Sequence, residues 1–134
     1  MFRISQYMEE IAHPTPLGEK RNPPGPVVIW NLIRRCNLTC KHCYSISADK
    51  DFPGELSTAE IYGVMDDLKR FRVPVLILSG GEPLLRPDIF DIAQRAKGMG
   101  FYVGLSSNGT LIDESNIRRI SETDFDYVGV SLDG

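Results

Sequence analysis

The stretch Val75-Leu76-Ile77-Leu78-Ser79-Gly80-Gly81-Glu82-Pro83 decides the fold. Val75 to Leu78 is an unbroken apolar run, as expected of a strand buried on both faces, and such strands belong to parallel sheets covered by helices. Two glycines and a proline then interrupt it and make a turn. Upstream, Ser57-Thr58-Ala59-Glu60 is a capping box, with Leu56 and Ile61 placed for a hydrophobic staple. Ile61, Val64, Met65 and Leu68 form the apolar stripe of that helix, with Asp66, Asp67, Lys69 and Arg70 outside it. Downstream, Asp88 to Lys97 predicts a second helix with Ile89, Ile92, Ala93 and Ala96 inward and Gly98 as its stop. A third begins at Asp113, with Ile117 and Ile120 inward. Val27 to Ile33, Phe101 to Leu105 and Tyr127 to Leu132 predict the remaining strands. Alternating strands and helices imply an α/β fold with parallel strands joined by right-handed crossovers. In such sheets chemistry collects at the C-terminal ends of the strands.

The first strand leads directly into Cys36-Asn37-Leu38-Thr39-Cys40-Lys41-His42-Cys43, which holds all three cysteines of the chain. Three thiols cannot all pair, so a disulfide framework does not explain them. Zinc would need a fourth ligand, for which His42 is nearest. The spacing i, i+4, i+7 also fits three inert thiols on one helix face, although Arg34 to Thr39 is polar and lacks apolar residues in that register. An iron–sulfur cluster is the third reading, since thiolates hold such clusters, usually four at a time. Three thiolates on a four-iron cluster leave one iron open, and an open metal position can bind a substrate.

A polar turn motif follows each later strand: Ser79-Gly80-Gly81-Glu82-Pro83, Ser106-Ser107-Asn108-Gly109 and Ser131-Leu132-Asp133-Gly134. Taken singly, each fits local capping or a plain strand–helix turn. A parallel sheet would bring all of them and the cysteine loop to one rim.

Length and composition set the frame. At 134 residues, with 42% hydrophobic and 25% charged residues, the chain has room for one globular domain. A net charge of −3 points to no nucleic-acid or acidic-membrane partner. No run is long and apolar enough for a signal peptide or a membrane span, and with reduced thiols this predicts a cytoplasmic location. Residues 1–26 read as a lead segment, with Ile4, Tyr7, Met8 and Ile11 at helical spacing and then a proline-rich linker. Residues 27–134 read as the first part of a core domain that continues beyond Gly134. Arg34, Arg35 and Arg86 stand near the expected rim, where guanidinium groups suit carboxylates.

The cysteine triplet with the three later motifs resembles the radical S-adenosylmethionine enzymes, whose mark is C-x-x-x-C-x-aromatic-C. His42 fills the aromatic slot. The resemblance spans about residues 27–134 and implies a partial TIM-like barrel of parallel (β/α) units, of which this chain is the N-terminal part. It implies a 4Fe-4S cluster on Cys36, Cys40 and Cys43, S-adenosyl-L-methionine as the second cofactor, and an external electron donor. It places His42 against the adenine and gives Gly80, Gly81 and Glu82 the methionine amino group. It assigns the carboxylate or substrate to Ser106, Ser107 and Asn108, and the ribose or methionine end to Ser131 and Asp133. The flanking text, Asn22 to Leu32 and Phe71 to Gly81, resembles the haem d1 branch. That branch implies removal of propionate side chains from a didecarboxysiroheme-type tetrapyrrole, an oxidoreductase or lyase activity of the longer protein rather than of 134 residues alone. Haem-precursor decarboxylases and peptide-maturing enzymes share the same motifs. A structural metal-binding module is the non-enzymatic alternative.

Overall fold

Four parallel strands lie side by side in sequence order: β1 (Val27–Asn31), β2 (Val75–Ser79), β3 (Tyr102–Ser107) and β4 (Tyr127–Val130). This computed structural model describes residues 25–132. The expected N-terminal helix, Asp133 and Gly134 lie outside the described residues. The register pairs Trp30 with Leu78, Leu78 with Leu105, and Leu105 with Val128.

Helix α1 (Thr58–Arg70) begins with the expected capping box: Ser57 accepts from the backbone N–H of Glu60, and Glu60 accepts from that of Ser57. Ile61 and Met65 are fully buried. Helix α2 (Ile89–Gly98) buries Ile89, Ile92, Ala93 and Ala96. Leu76, Leu78 and Val103 from the sheet meet these side chains in one cluster, which provides most of the apolar burial that drives folding. The other face of the sheet is less covered. Val75 and Ile77 are half-buried, and Ile29 on the β1 edge is 66% exposed. Burial on both faces therefore does not hold for β2 within the described residues; the apolar run alternates between a closed face and a half-open one.

Several expectations shift, and β1 and β4 end at Asn31 and Val130 rather than at Ile33 and Leu132. Gly98 is the last residue of α2 rather than its stop, and the reversal falls to Gly100, whose φ of +76° suits a residue without Cβ. Strand β3 runs on through Ser107, so two of its motif residues are strand residues. Helix α3 spans Ile117–Thr123 and starts later than Asp113, because an Asp113 side-chain oxygen accepts from the backbone N–H groups of Ser115 and Asn116. That local turn competes with helix. Ile117 is 51% exposed, and Ile120 alone of the pair is buried.

Candidate active site at the C-terminal ends of the strands

Every strand ends at the same rim, and the chain after β1 is bound to the chain after β2. Leu32 donates its N–H to Ser79 O (2.9 Å), Gly81 to Ile33 O (2.7 Å) and Glu82 to Arg35 O (2.9 Å). The approach is so close that a Cβ on Gly80 would lie 2.4 Å from Ile33 O, and one on Gly81 2.4 Å from Arg35 O. The glycines are thus required against the protein's own backbone, just before Cys36, whatever they do for a ligand. Beyond this strap the cysteine loop is closed by a bridge between Arg35 and Ala48 and by the Cys36 N–H donated to Ala48 O at 3.1 Å.

One pocket of about 160 Å³ occupies the rim. Cys36, Cys40, Cys43, His42, Gly80, Gly81, Ser107, Asn108 and Ser131 all line it, with Ser79 and Ser106. Glu82 does not. Its side chain is fully buried beneath the rim, where Oε1 accepts from Ser107 Oγ (2.9 Å) and the Leu84 N–H (3.0 Å), and Oε2 accepts from the Asn108 N–H (2.8 Å). A carboxylate has about four acceptor positions, so three are filled from within the protein. The carboxylate ties the turn after β2 to the end of β3. Ser107 Oγ also accepts from the Gly109 N–H at 3.0 Å.

The three thiols are unpaired and differ in setting: Cys36 buried, Cys43 half-buried, Cys40 exposed. Cys36 Sγ accepts from the Leu38 N–H at 3.4 Å and from Asn108 Nδ2 at 3.6 Å. Cys43 Sγ lies 3.2 Å from Ser45 Oγ. The Ser45 hydroxyl first, then the Ser47 backbone, draw the Cys43 thiol down from its ordinary value of 9.0 to about 7. A thiol that ionises near neutrality is a ready metal ligand. Among the described residues no three Cys, His, Asp or Glu side chains stand close enough to hold one metal ion. A cuboidal cluster is bound at separate corners, and three unpaired thiols around one pocket, two of them hydrogen-bonded at sulfur, fit that group.

The three arginines near the rim are engaged with the protein. Arg86 is buried; its Nη atoms donate to Leu32 O (3.2 Å) and Leu56 O (2.9 Å), and its Nε stands 2.7 Å from Asp88 Oδ1. Arg35 pairs with Asp49 (2.9 Å) and Asp51 (3.2 Å). Arg34 lies 4.2 Å over the Phe52 ring. Their local carboxylates, carbonyls and aromatic neighbour hold them in these positions. Asn37 and Thr110 were not singled out by sequence, yet Asn37 Nδ2 donates to Thr110 Oγ1 at 2.8 Å and joins the cysteine loop to the turn after β3. The only signal for them was a polar residue inside the cysteine motif and another directly after the Ser106 to Gly109 motif.

The Radical SAM superfamily matches residues 30–134. The chain is 56% identical over 134 residues to pre-heme d1 synthase of Dinoroseobacter shibae, covering all of this chain and 33% of that protein. It is 49% identical over 109 residues to Fe-coproporphyrin III synthase of Methanosarcina barkeri, covering 81% of this chain and 27% of that one. Its fold is similar to that of Streptococcus suis SuiB bound to S-adenosylmethionine, with a TM-score of 0.62 at 20% identity over 78% of this chain and 24% of SuiB. A parallel α/β sheet with its motifs on one rim, together with the family match, defines the class: the chain belongs to the radical SAM superfamily of enzymes. It spans about a third or less of the length of these curated relatives. Among the described residues no helix is long and apolar enough to cross a membrane.

Proposed function

We propose that the whole protein is a radical SAM enzyme that removes propionate side chains from a didecarboxysiroheme-type tetrapyrrole on the way to haem d1, with residues 27–134 as the first part of its core. The observation that carries this reading is the 56% identity with pre-heme d1 synthase across the full chain, higher than the 49% found with Fe-coproporphyrin III synthase.

In this reading Cys36, Cys40 and Cys43 hold a 4Fe-4S cluster. When bound, such a cluster would supply the electron that breaks a carbon–sulfur bond of S-adenosylmethionine. The protein's own part is binding, orientation and shielding. Gly80 and Gly81 present backbone at the pocket wall, where side chains would block both the strap and the ligand. Ser107 and Asn108 are fixed by Glu82, so their turn meets a bound methionine end already ordered, which lowers the entropy cost of binding. Ser131, whose N–H donates to Ser107 O at 3.0 Å, extends the same wall towards the ribose, and His42 borders the adenine side. The thiols need a reducing compartment, the cytoplasm, and a reductant there as electron donor.

The full-length protein, reconstituted with iron and sulfide without oxygen, tests the substrate. Given S-adenosylmethionine, a reductant and didecarboxysiroheme, it should yield products lacking propionate side chains by mass spectrometry. Turnover of Fe-coproporphyrin precursors or of a peptide in its place would overturn the assignment.

A further inference from the structure

The Asn108 side chain has its orientation fixed by groups that can act in one sense only. The Thr110 backbone N–H, which can only donate, points at Asn108 Oδ1 at 2.9 Å. The oxygen therefore faces Thr110, and the amide –NH₂ faces the cysteine loop. Its two hydrogens have two acceptors there: Asn37 Oδ1 at 2.9 Å and Cys36 Sγ at 3.6 Å. Asn37 cannot be turned round either, because the Thr110 hydroxyl spends its one hydrogen on Asn108 Oδ1 at 2.6 Å and can only accept from Asn37 Nδ2. Beneath, the Asn108 N–H is held by the buried Glu82. A chain of fixed polarity thus runs from a buried carboxylate through Asn108 to the sulfur of the most buried cysteine.

We propose that Asn108 is a positioning residue that sets the reduction potential of the cluster through its hydrogen bond to Cys36, with Glu82 holding it in register. A donor at a ligand sulfur stabilises negative charge, and the reduced cluster carries one more negative charge than the oxidised one. The bond therefore favours reduction and raises the potential. Cys43 Sγ meets a hydroxyl from its own loop, Ser45, whereas Cys36 receives a side-chain donor from the turn after β3, so the Asn108 effect acts at the Cys36 corner.

This inference rests on the cluster reading above. Its test is a redox titration, followed by the spectrum of the reduced cluster, of the full-length reconstituted protein and its Asn108→Leu and Asn108→Asp variants. Leu keeps the bulk without a donor; Asp places a negative oxygen towards the sulfur. Both should retain iron and sulfide. Asn108→Leu should lower the reduced-to-oxidised ratio at fixed potential by about tenfold, ~59 mV for one electron, and Asn108→Asp by more. Variants with full clusters and the wild-type potential would overturn the inference while leaving the cluster reading intact. A wild type that binds no iron would instead overturn the cluster reading itself. Should both variants lose their iron, wild type labelled with side-chain ¹⁵N-asparagine decides: nitrogen coupling to the reduced cluster supports the bond, and its absence removes it.

Discussion

No side chain fits between Gly81 and Arg35: a Cβ on Gly81 would fall 2.4 Å from the Arg35 carbonyl oxygen and 2.6 Å from that of Arg34. These carbonyls immediately precede Cys36, so the glycine turn and the cysteine loop are mechanically one unit. Gly81→Ala should force the strap apart, costing roughly 1–3 kcal/mol as overpacking does. Because the strap leads into a cluster ligand, iron content and S-adenosylmethionine binding should fall together. Thermal unfolding and iron analysis of the full-length protein check this. Full iron content with only cofactor binding weakened would return the glycine to a purely ligand-facing role.

Gly63 gives the opposite expectation. It lies exposed within helix α1, and a Cβ there meets nothing within 4 Å. Gly63→Ala should stabilise the fold by about 0.5–1 kcal/mol, since alanine loses less backbone entropy in a helix. A urea midpoint higher than wild type, at unchanged slope, is the expected result; a lower one contradicts the helix assignment.

Glu82 tests the coupling of β2 to β3. Glu82→Ala would strand the Ser107 hydroxyl and the N–H groups of Leu84 and Asn108, at roughly 1–3 kcal/mol for each donor left buried without a partner. Glu82→Gln keeps two of the acceptances on one oxygen but sets an –NH₂ against the Asn108 N–H, so it should fall between. Denaturant unfolding should rank wild type, Gln, Ala in falling stability. Equal stability of all three would mean that the carboxylate does not hold the turn.

The Arg86–Asp88 pair carries a pH signature. Burial opposes ionisation of Asp88, but hydrogen bonds from Arg86 and Thr58 and the Arg86 charge outweigh it and hold its pKa below the ordinary 3.8. A carboxylate with a depressed folded pKa stabilises the fold above its unfolded value, and that contribution is lost as pH falls through the folded one. Asp88→Asn should therefore lower stability at neutral pH and flatten the fall in stability below about pH 3.8. Parallel stability–pH curves for the two proteins would show that Asp88 does not contribute to the acid limb.

Signals that act between near neighbours in sequence were legible. The Ser57–Glu60 box, the stripe at Ile61 and Met65, and the unbroken run in β2 each follow from spacing within one turn or one strand. Their alternation was enough to infer parallel pairing, and parallel pairing was enough to bring the motifs to one rim. Asp113 misled because an acidic residue before a helix can cap it or close a tighter turn, and here the neighbouring Ser115 and Asn116 N–H groups win. Glu82 and Arg86 were out of reach for another reason. Glu82 finds Ser107, 25 residues on, and Arg86 finds Leu32, 54 residues back, so their burial depends on how β1, β2 and β3 stack. A charged side chain in a rim motif reads as ligand-facing until that stacking is known.

The most direct test of the cluster and its chemistry is made on the full-length protein purified and reconstituted without oxygen. Iron, sulfide and 5′-deoxyadenosine released on reduction with S-adenosylmethionine should be measured for wild type and for Cys36→Ala, Cys40→Ala and Cys43→Ala. Wild type should hold about four irons and release 5′-deoxyadenosine, as four-iron chemistry requires, and each alanine variant should lose both. Alanine variants that keep wild-type iron and sulfide and still release 5′-deoxyadenosine would contradict the assignment of the three cysteines as cluster ligands.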